Sequence, residues 1–148
     1  MRVGIAAALA LAAASSLHAQ DFSTANPLPG AWTYAPTSTG SQANFVDAQA
    51  RPQLTLICTR ATHRVSIAKP AAGAAPLLTI WTSNQTRNLP ASFNPATGRL
   101  SAELASYDSL LDSMAFSRGR FAVSVSGQPA LVVPSWDEVS RVVEDCRA

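Results

Sequence analysis

The sequence predicts an α+β fold, mainly an antiparallel β-sandwich or partly open β-barrel of about seven to nine strands, with two short helices in its C-terminal half. Three observations predict it. Apolar and polar residues alternate with a period of two in segment after segment beyond residue 30, and clusters of Gly, Pro and Asn separate many of these segments. The period lengthens to that of a helix only twice, around residues 107–114 and 136–146.

The chain opens on Arg2, an apolar run from Ile5 to Ala14 built almost wholly of Ala and Leu, and then Ser15, Ser16, Leu17, His18 and Ala19. A basic start, a short apolar centre and small residues before a cut predict a secretory signal peptide over 1–19, too short for a membrane span and cleaved after Ala19. Gln20, not a cysteine, stands directly after the cut, so a lipid anchor is not indicated. The expected location is periplasmic or secreted. The chain has 11 Lys and Arg against 9 Asp and Glu, and Arg2 leaves with the leader, so the mature protein is close to neutral. That balance gives no electrostatic footprint for nucleic acid or an anionic membrane, and no later apolar run reaches membrane length.

Residues 20–30 carry Pro27 and Pro29 among polar neighbours and are expected to form an extended, poorly packed lead-in to a single β-rich domain over 31–148. Trp32 and Tyr34 alternate with small residues in a short strand that Pro36 should stop; 37–42 reads as loop and 44–47 as another short strand. Leu54, Leu56 and Cys58 share one strand face, and His63, Val65 and Ile67 share a face of the return strand, with residues 60–62 turning the chain between them. A further strand covers 77–83, and the polar 84–88 reads as a connection. Segments 89–93 and 99–104 pair across a five-residue loop that starts with Asn-Pro and ends with Gly98. Pro90, which lacks an N–H to donate, places the first of these at a sheet edge.

Tyr107, Leu110, Leu111 and Met114 recur at helical spacing, with Ser106 or Asp108 as cap and Arg118 and Gly119 at the exit. Phe121, Val123 and Val125 then restore the period of two, with Ala122, Ser124 and Ser126 expected to face solvent. Residues 130–133 are apolar throughout, the pattern of a strand covered on both faces. Ser135 and Glu138 have the spacing of a capping box for the last helix, whose expected buried stripe is Trp136, Val139, Val142, Val143 and Cys146. Arg141 is placed to pair with Asp137 and with Asp145 one turn away on either side.

Two cysteines in an exported chain most economically form one bond, and Cys58 and Cys146 lie 88 residues apart. A loop of that length is worth roughly 4 to 5 kcal/mol in the chain-entropy model. Other chemistry is sparse. His63, the only histidine of the mature chain, has no partners at metal-ligand spacing, and no Gly-x-Ser-x-Gly elbow, phosphate-binding glycine loop or dinucleotide fingerprint is present, so no metal or cofactor is expected. Asp108 and Asp112 stand one helical turn apart and, with His63, define the alternative reading as a small exported hydrolase. Arg118 and Arg120 bracket Gly119 where a helix meets a strand, a spacing suited to clamping a carboxylate or phosphate. Arg60 and Arg64 are expected to join that anion- or partner-binding surface if the disulfide gathers the strands. Trp81, on a strand face with Leu77 and Thr79, is either core or part of a sugar-binding face.

Gly30-Ala31-Trp32, then Pro52 before Leu54, Leu56, Ile57 and Cys58, a later helix and strand, and a closing helix with a late cysteine resemble the order of elements in small exported proteins associated with type VI secretion. The tight turn over 127–129 departs from that pattern. The resemblance implies a β-rich periplasmic accessory protein without catalysis. A second similarity, to periplasmic lysozyme inhibitors, is weaker: their Ser-Gly-x-x-Tyr loop would start at Ser126 and Gly127, but Ala130 stands where the inhibitory tyrosine would be. The expected function is therefore a noncatalytic binding or interaction module, with an exported hydrolase or enzyme inhibitor as the alternative. The expected partner is another envelope protein or a cell-wall component.

Overall fold

The computed structural model describes residues 20–148; the leader and its cleavage after Ala19 lie outside the described residues. The strands are β1 (Gly30–Thr37), β2 (Gly40–Asp47), β3 (Pro52–Thr59), β4 (Arg64–Pro70), β5 (Leu77–Trp81), β6 (Thr86–Pro90), β7 (Ser92–Asn94), β8 (Arg99–Ala105), β9 (Arg120–Ser124) and β10 (Leu131–Pro134). Helix α1 (Ser109–Ala115) lies between β8 and β9, and α2 (Asp137–Arg147) follows β10. One sheet has the order β1-β2-β3-β4-β8-β7, the other β10-β9-β5-β6, and all their pairings are antiparallel. Neither sheet closes on itself, so the fold is an α+β sandwich and not a barrel.

The alternation read from the sequence positions the core. Phe45, Leu54, Leu56, Cys58, Val65 and Ile67 point inward from the six-stranded sheet and are fully buried. Part of that face is covered by Leu78, Ile80, Phe121 and Val123 of the four-stranded sheet, and part by α2, which packs across β1 to β4 through Val139, Val142, Val143 and Cys146. Cys58 and Cys146 are bonded, with their Cα atoms 5.4 Å apart. Gly40 makes room for this: a Cβ there would lie 2.2 Å from the Cys58 carbonyl oxygen and 3.1 Å from its sulfur.

Several local expectations give way to tertiary structure. Pro36 does not end β1, because β1 is an edge strand and a missing N–H costs nothing on its open side. Most of 37–42 is strand, not loop: β1 runs to Thr37, and β2 starts at Gly40 and pairs along its whole length with β1. The polar stretch 84–88 contributes β6, which is an edge strand as Pro90 requires, and at Ala91 the chain leaves that sheet to enter the other as β7. Ala122, expected in solvent, is 1% exposed. The capping box at Ser135 is not formed. Trp136 is the N-cap in extended backbone, no side chain caps the helix, and the buried Ser135 hydroxyl has no hydrogen-bond partner among the described residues. Lying before the helix, Trp136 leaves the buried stripe and is 46% exposed. Arg141 stacks on the Tyr34 ring at 3.8 Å, and Asp145 accepts a 2.6 Å hydrogen bond from the Tyr34 hydroxyl, in place of the expected pairs along α2.

The lead-in is packed. The Leu28 N–H donates to the Val132 carbonyl at 2.8 Å and covers the outer edge of β10, while the Arg120 guanidinium donates to the Ala25 carbonyl. Phe22 meets the Trp81 ring edge-on at 5.7 Å. This strap covers the outer face at Ala122, which the sequence assigned to solvent, and at Val132, in the strand that the sequence read as covered on both faces.

The turn from β2 to β3 is organised by one carboxylate. Asp47 accepts from the backbone N–H of Gln49 and Arg51, from Arg51 Nε and from Gln53 Nε2, all within 2.9–3.0 Å. The Arg51 N–H foremost, helped by these other donors, holds its pKa below the ordinary carboxylate value. A depressed folded-state pKa stabilises the protein above the unfolded value, and that stability disappears as pH falls through the folded one. Asp47→Asn is therefore expected to lower the melting temperature at pH 7 and flatten its decline below about pH 4. An acid limb identical to wild type in thermal melts across that range would remove Asp47 from this role.

Candidate binding surface

The exit of α1 and the first turn of the smaller sheet are locked together by serines. Arg118 N–H donates to Ser83 Oγ at 3.1 Å, Ser83 N–H donates to Ser117 Oγ at 2.9 Å, and Ser117 Oγ donates to the Arg120 carbonyl. Gly119, with φ +75°, permits the reversal into β9. Backbone restraint on both sides of Arg118 thus fixes where its side chain starts. The exposed guanidinium borders a cavity of about 370 Å³ whose other walls are Asp21, Ser23, Trp81 and Ser83. Among the described residues it has no hydrogen-bond or ion-pair partner.

Each of the other eight arginines among the described residues has a partner. Arg51 and Arg87 hold Asp47 and Asp108; Arg147 holds Asp112; Arg99 donates to Thr55 Oγ1 and the Ala68 carbonyl. Arg141 covers Tyr34, and Arg120 ties down the lead-in, so it does not form a clamp with Arg118. Arg60 Nε donates to the Asp145 carbonyl at 3.5 Å, and Arg64 faces Glu103 at 3.6 Å with both side chains largely in solvent. Arg60 lies in the β3–β4 connection and Arg64 at the start of β4 in the larger sheet, whereas Arg118 precedes β9 and Arg120 begins it in the smaller one. The disulfide joins α2 to β3 and leaves the two pairs with different neighbours.

Trp81 occupies the outer face of the smaller sheet. In register it lies beside Ala122 and Thr86, and the next outward-facing row is Ser124, Thr79 and Asn88. Asp21 is kept ionised by the Ser23 N–H and hydroxyl, which lower its pKa. The cavity thus gathers an indole, a cation, a carboxylate and hydroxyls. Sequence reasoning named Arg118 and left Trp81 open; it missed Asp21, Ser23 and Ser83. Only the docking of the lead-in brings the first two of these to the site.

The residues of the hydrolase alternative are dispersed. Asp108 caps α1 through the Leu110 N–H and takes both Arg87 terminal nitrogens, at 2.6 and 3.2 Å; Arg87 is the main cause of its lowered pKa. Asp112 takes both terminal nitrogens of Arg147 at 2.9 and 3.1 Å. His63, in left-handed backbone at φ 50°, donates from Nδ1 to the Cys146 carbonyl at 2.8 Å. No hydrogen bond among the described residues joins any two of these three side chains, and no cluster of three or more His, Cys, Asp or Glu among them could hold a metal ion. No described helix is long and apolar enough to cross a membrane. Comparison with protein-family models, curated proteins and solved structures found no match.

Proposed function

We propose that this chain is a noncatalytic binding module of an oxidising compartment, periplasmic or secreted, and that its partner, an envelope protein or cell-wall component, presents an anionic group to Arg118. The observation that carries the reading is the guanidinium of Arg118 beside Trp81, which has no partner among the described residues, whereas the other described arginines all have one and only Arg60 and Arg64 hold theirs in solvent. The Cys58–Cys146 bond suits an oxidising compartment, and the leader-like composition of residues 1–19 suits export. Each carboxylate of the hydrolase alternative is neutralised by its own arginine, which gives that reading no support.

An anion that binds only the folded state raises its melting temperature by mass action. Sulfate or acetate, compared with chloride at matched ionic strength, is expected to raise the melting temperature of wild type by a few degrees and that of Arg118→Ala by much less. An equal rise in the variant would count against Arg118 as the site. Arg60→Ala plus Arg64→Ala, in exposed positions away from the cavity, is expected to keep the wild-type response.

A further inference from the structure

Resting on the reading of Arg118 as an anion site, we propose that the cleft around Trp81 binds a pyranose saccharide that carries a carboxylate. Trp81 borders two cavities, of about 340 and 370 Å³, each in the size range of small-ligand sites. The strap separates them: Gln20 and Phe22 line the first, Asp21 and Ser23 the second. A half-buried indole that borders both cavities, with a polar rim around it, suits a sugar ring, whose C–H face is apolar and whose edge carries hydroxyls.

The two cavities differ in charge. Arg118 and Asp21 stand in the larger one, so a carboxylate can take the guanidinium while ring hydroxyls donate to Asp21 and exchange hydrogen bonds with Ser23 and Ser83. The smaller has only neutral side chains, among them Thr79, Thr86, Asn88 and Ser124. Thr79 Oγ1 donates to Asn88 Oδ1 at 2.7 Å, which leaves the Asn88 NH₂ as a donor for hydroxyls. An acidic peptide fits less well. Extended peptides gain their affinity by adding to a sheet edge, and here Trp81 lies on β5, paired on both sides by β6 and β9, while the β10 edge is covered by Leu28 and the β6 edge borders the neutral cavity, not the one that holds Arg118.

The test uses trigalacturonate, its fully methyl-esterified form, acetate and tri-aspartate as probes, read by calorimetry and by the three indole N–H signals in a ¹⁵N-correlated NMR spectrum. Trigalacturonate is expected to shift the Trp81 signal and leave that of the buried Trp32 in place. It should bind at least about tenfold more tightly than either acetate or its own ester, a gap of about 1.4 kcal/mol. Arg118→Gln should erase the difference between acid and ester, and Trp81→Leu should abolish binding of both. If Trp81→Leu does not fold, the wild-type indole shift decides. Trigalacturonate binding no more tightly than acetate would overturn the saccharide while leaving the anion site standing. Tri-aspartate binding as tightly as trigalacturonate would also overturn it, in favour of an acidic peptide. No response to any of the anions would overturn both readings.

Discussion

Replacing Cys58 and Cys146 together by alanine is expected to lower the free energy of unfolding by about 4 to 5 kcal/mol, the chain-entropy value for a closed loop of this length. The two positions are fully buried, and alanine avoids placing new hydroxyls there. Native structure should change little, because the end of α2 has other attachments: the His63 ring donates to the Cys146 carbonyl, and Arg147 donates to Asp112 and to the Ser106 carbonyl. The loss would thus arise chiefly in the unfolded chain, which regains the freedom that the crosslink removes. Denaturant unfolding of wild type, reduced wild type and the double variant measures it. Near-UV circular dichroism close to wild type with a lowered midpoint is the expected pair of results. A loss under about 1 kcal/mol would mean that the unfolded chain is already compact around this contact.

How far the sequence reaches can be judged from particular residues. Leu54, Leu56 and Cys58, or Leu100, Ala102 and Leu104, alternate cleanly because one face of the larger sheet is buried and the other is not, and such a pattern is readable locally. The two cysteines were legible as a pair because an exported chain with two leaves little choice. The switch of sheets at Ala91 was not, since nothing within 89–93 differs from an ordinary strand with a proline in it. The serine at 135 matched a capping pattern, but the backbone there is drawn to the smaller sheet, where its N–H reaches the Gly119 carbonyl at 3.4 Å. The candidate site was half legible. Arg118 could be singled out from its place at a helix exit, whereas Trp81 became an outer-face residue only once the register with Ala122 was fixed. Ala122 itself misled because the strap that covers it comes from residues 20–28, about a hundred positions upstream in the chain.

Trp32→Ala is expected to cost about 3 to 5 kcal/mol, the range for removing a large buried aromatic side chain. The position joins the two sheets at their margins. Trp32 lies on β1, the edge of the larger sheet, and its Nε1 donates at 2.7 Å to the carbonyl of Pro134, in β10 at the edge of the smaller one. Its ring meets Phe45 edge-on at 5.5 Å and stacks on Phe121 at 6.3 Å, so one side chain touches the core of both layers. Trp32→Phe separates the contributions. It keeps most of the aromatic contact and removes the hydrogen bond, leaving the buried Pro134 carbonyl unpaired, which costs about 1 to 3 kcal/mol. Alanine should therefore be the worse substitution by roughly 2 kcal/mol, the contribution of the ring itself. Equal losses in the two variants would assign the joint to the hydrogen bond alone. A loss below about 1.5 kcal/mol for alanine would mean that the sheets are held together elsewhere, by the disulfide and α2, and that the margin between β1 and β10 opens freely.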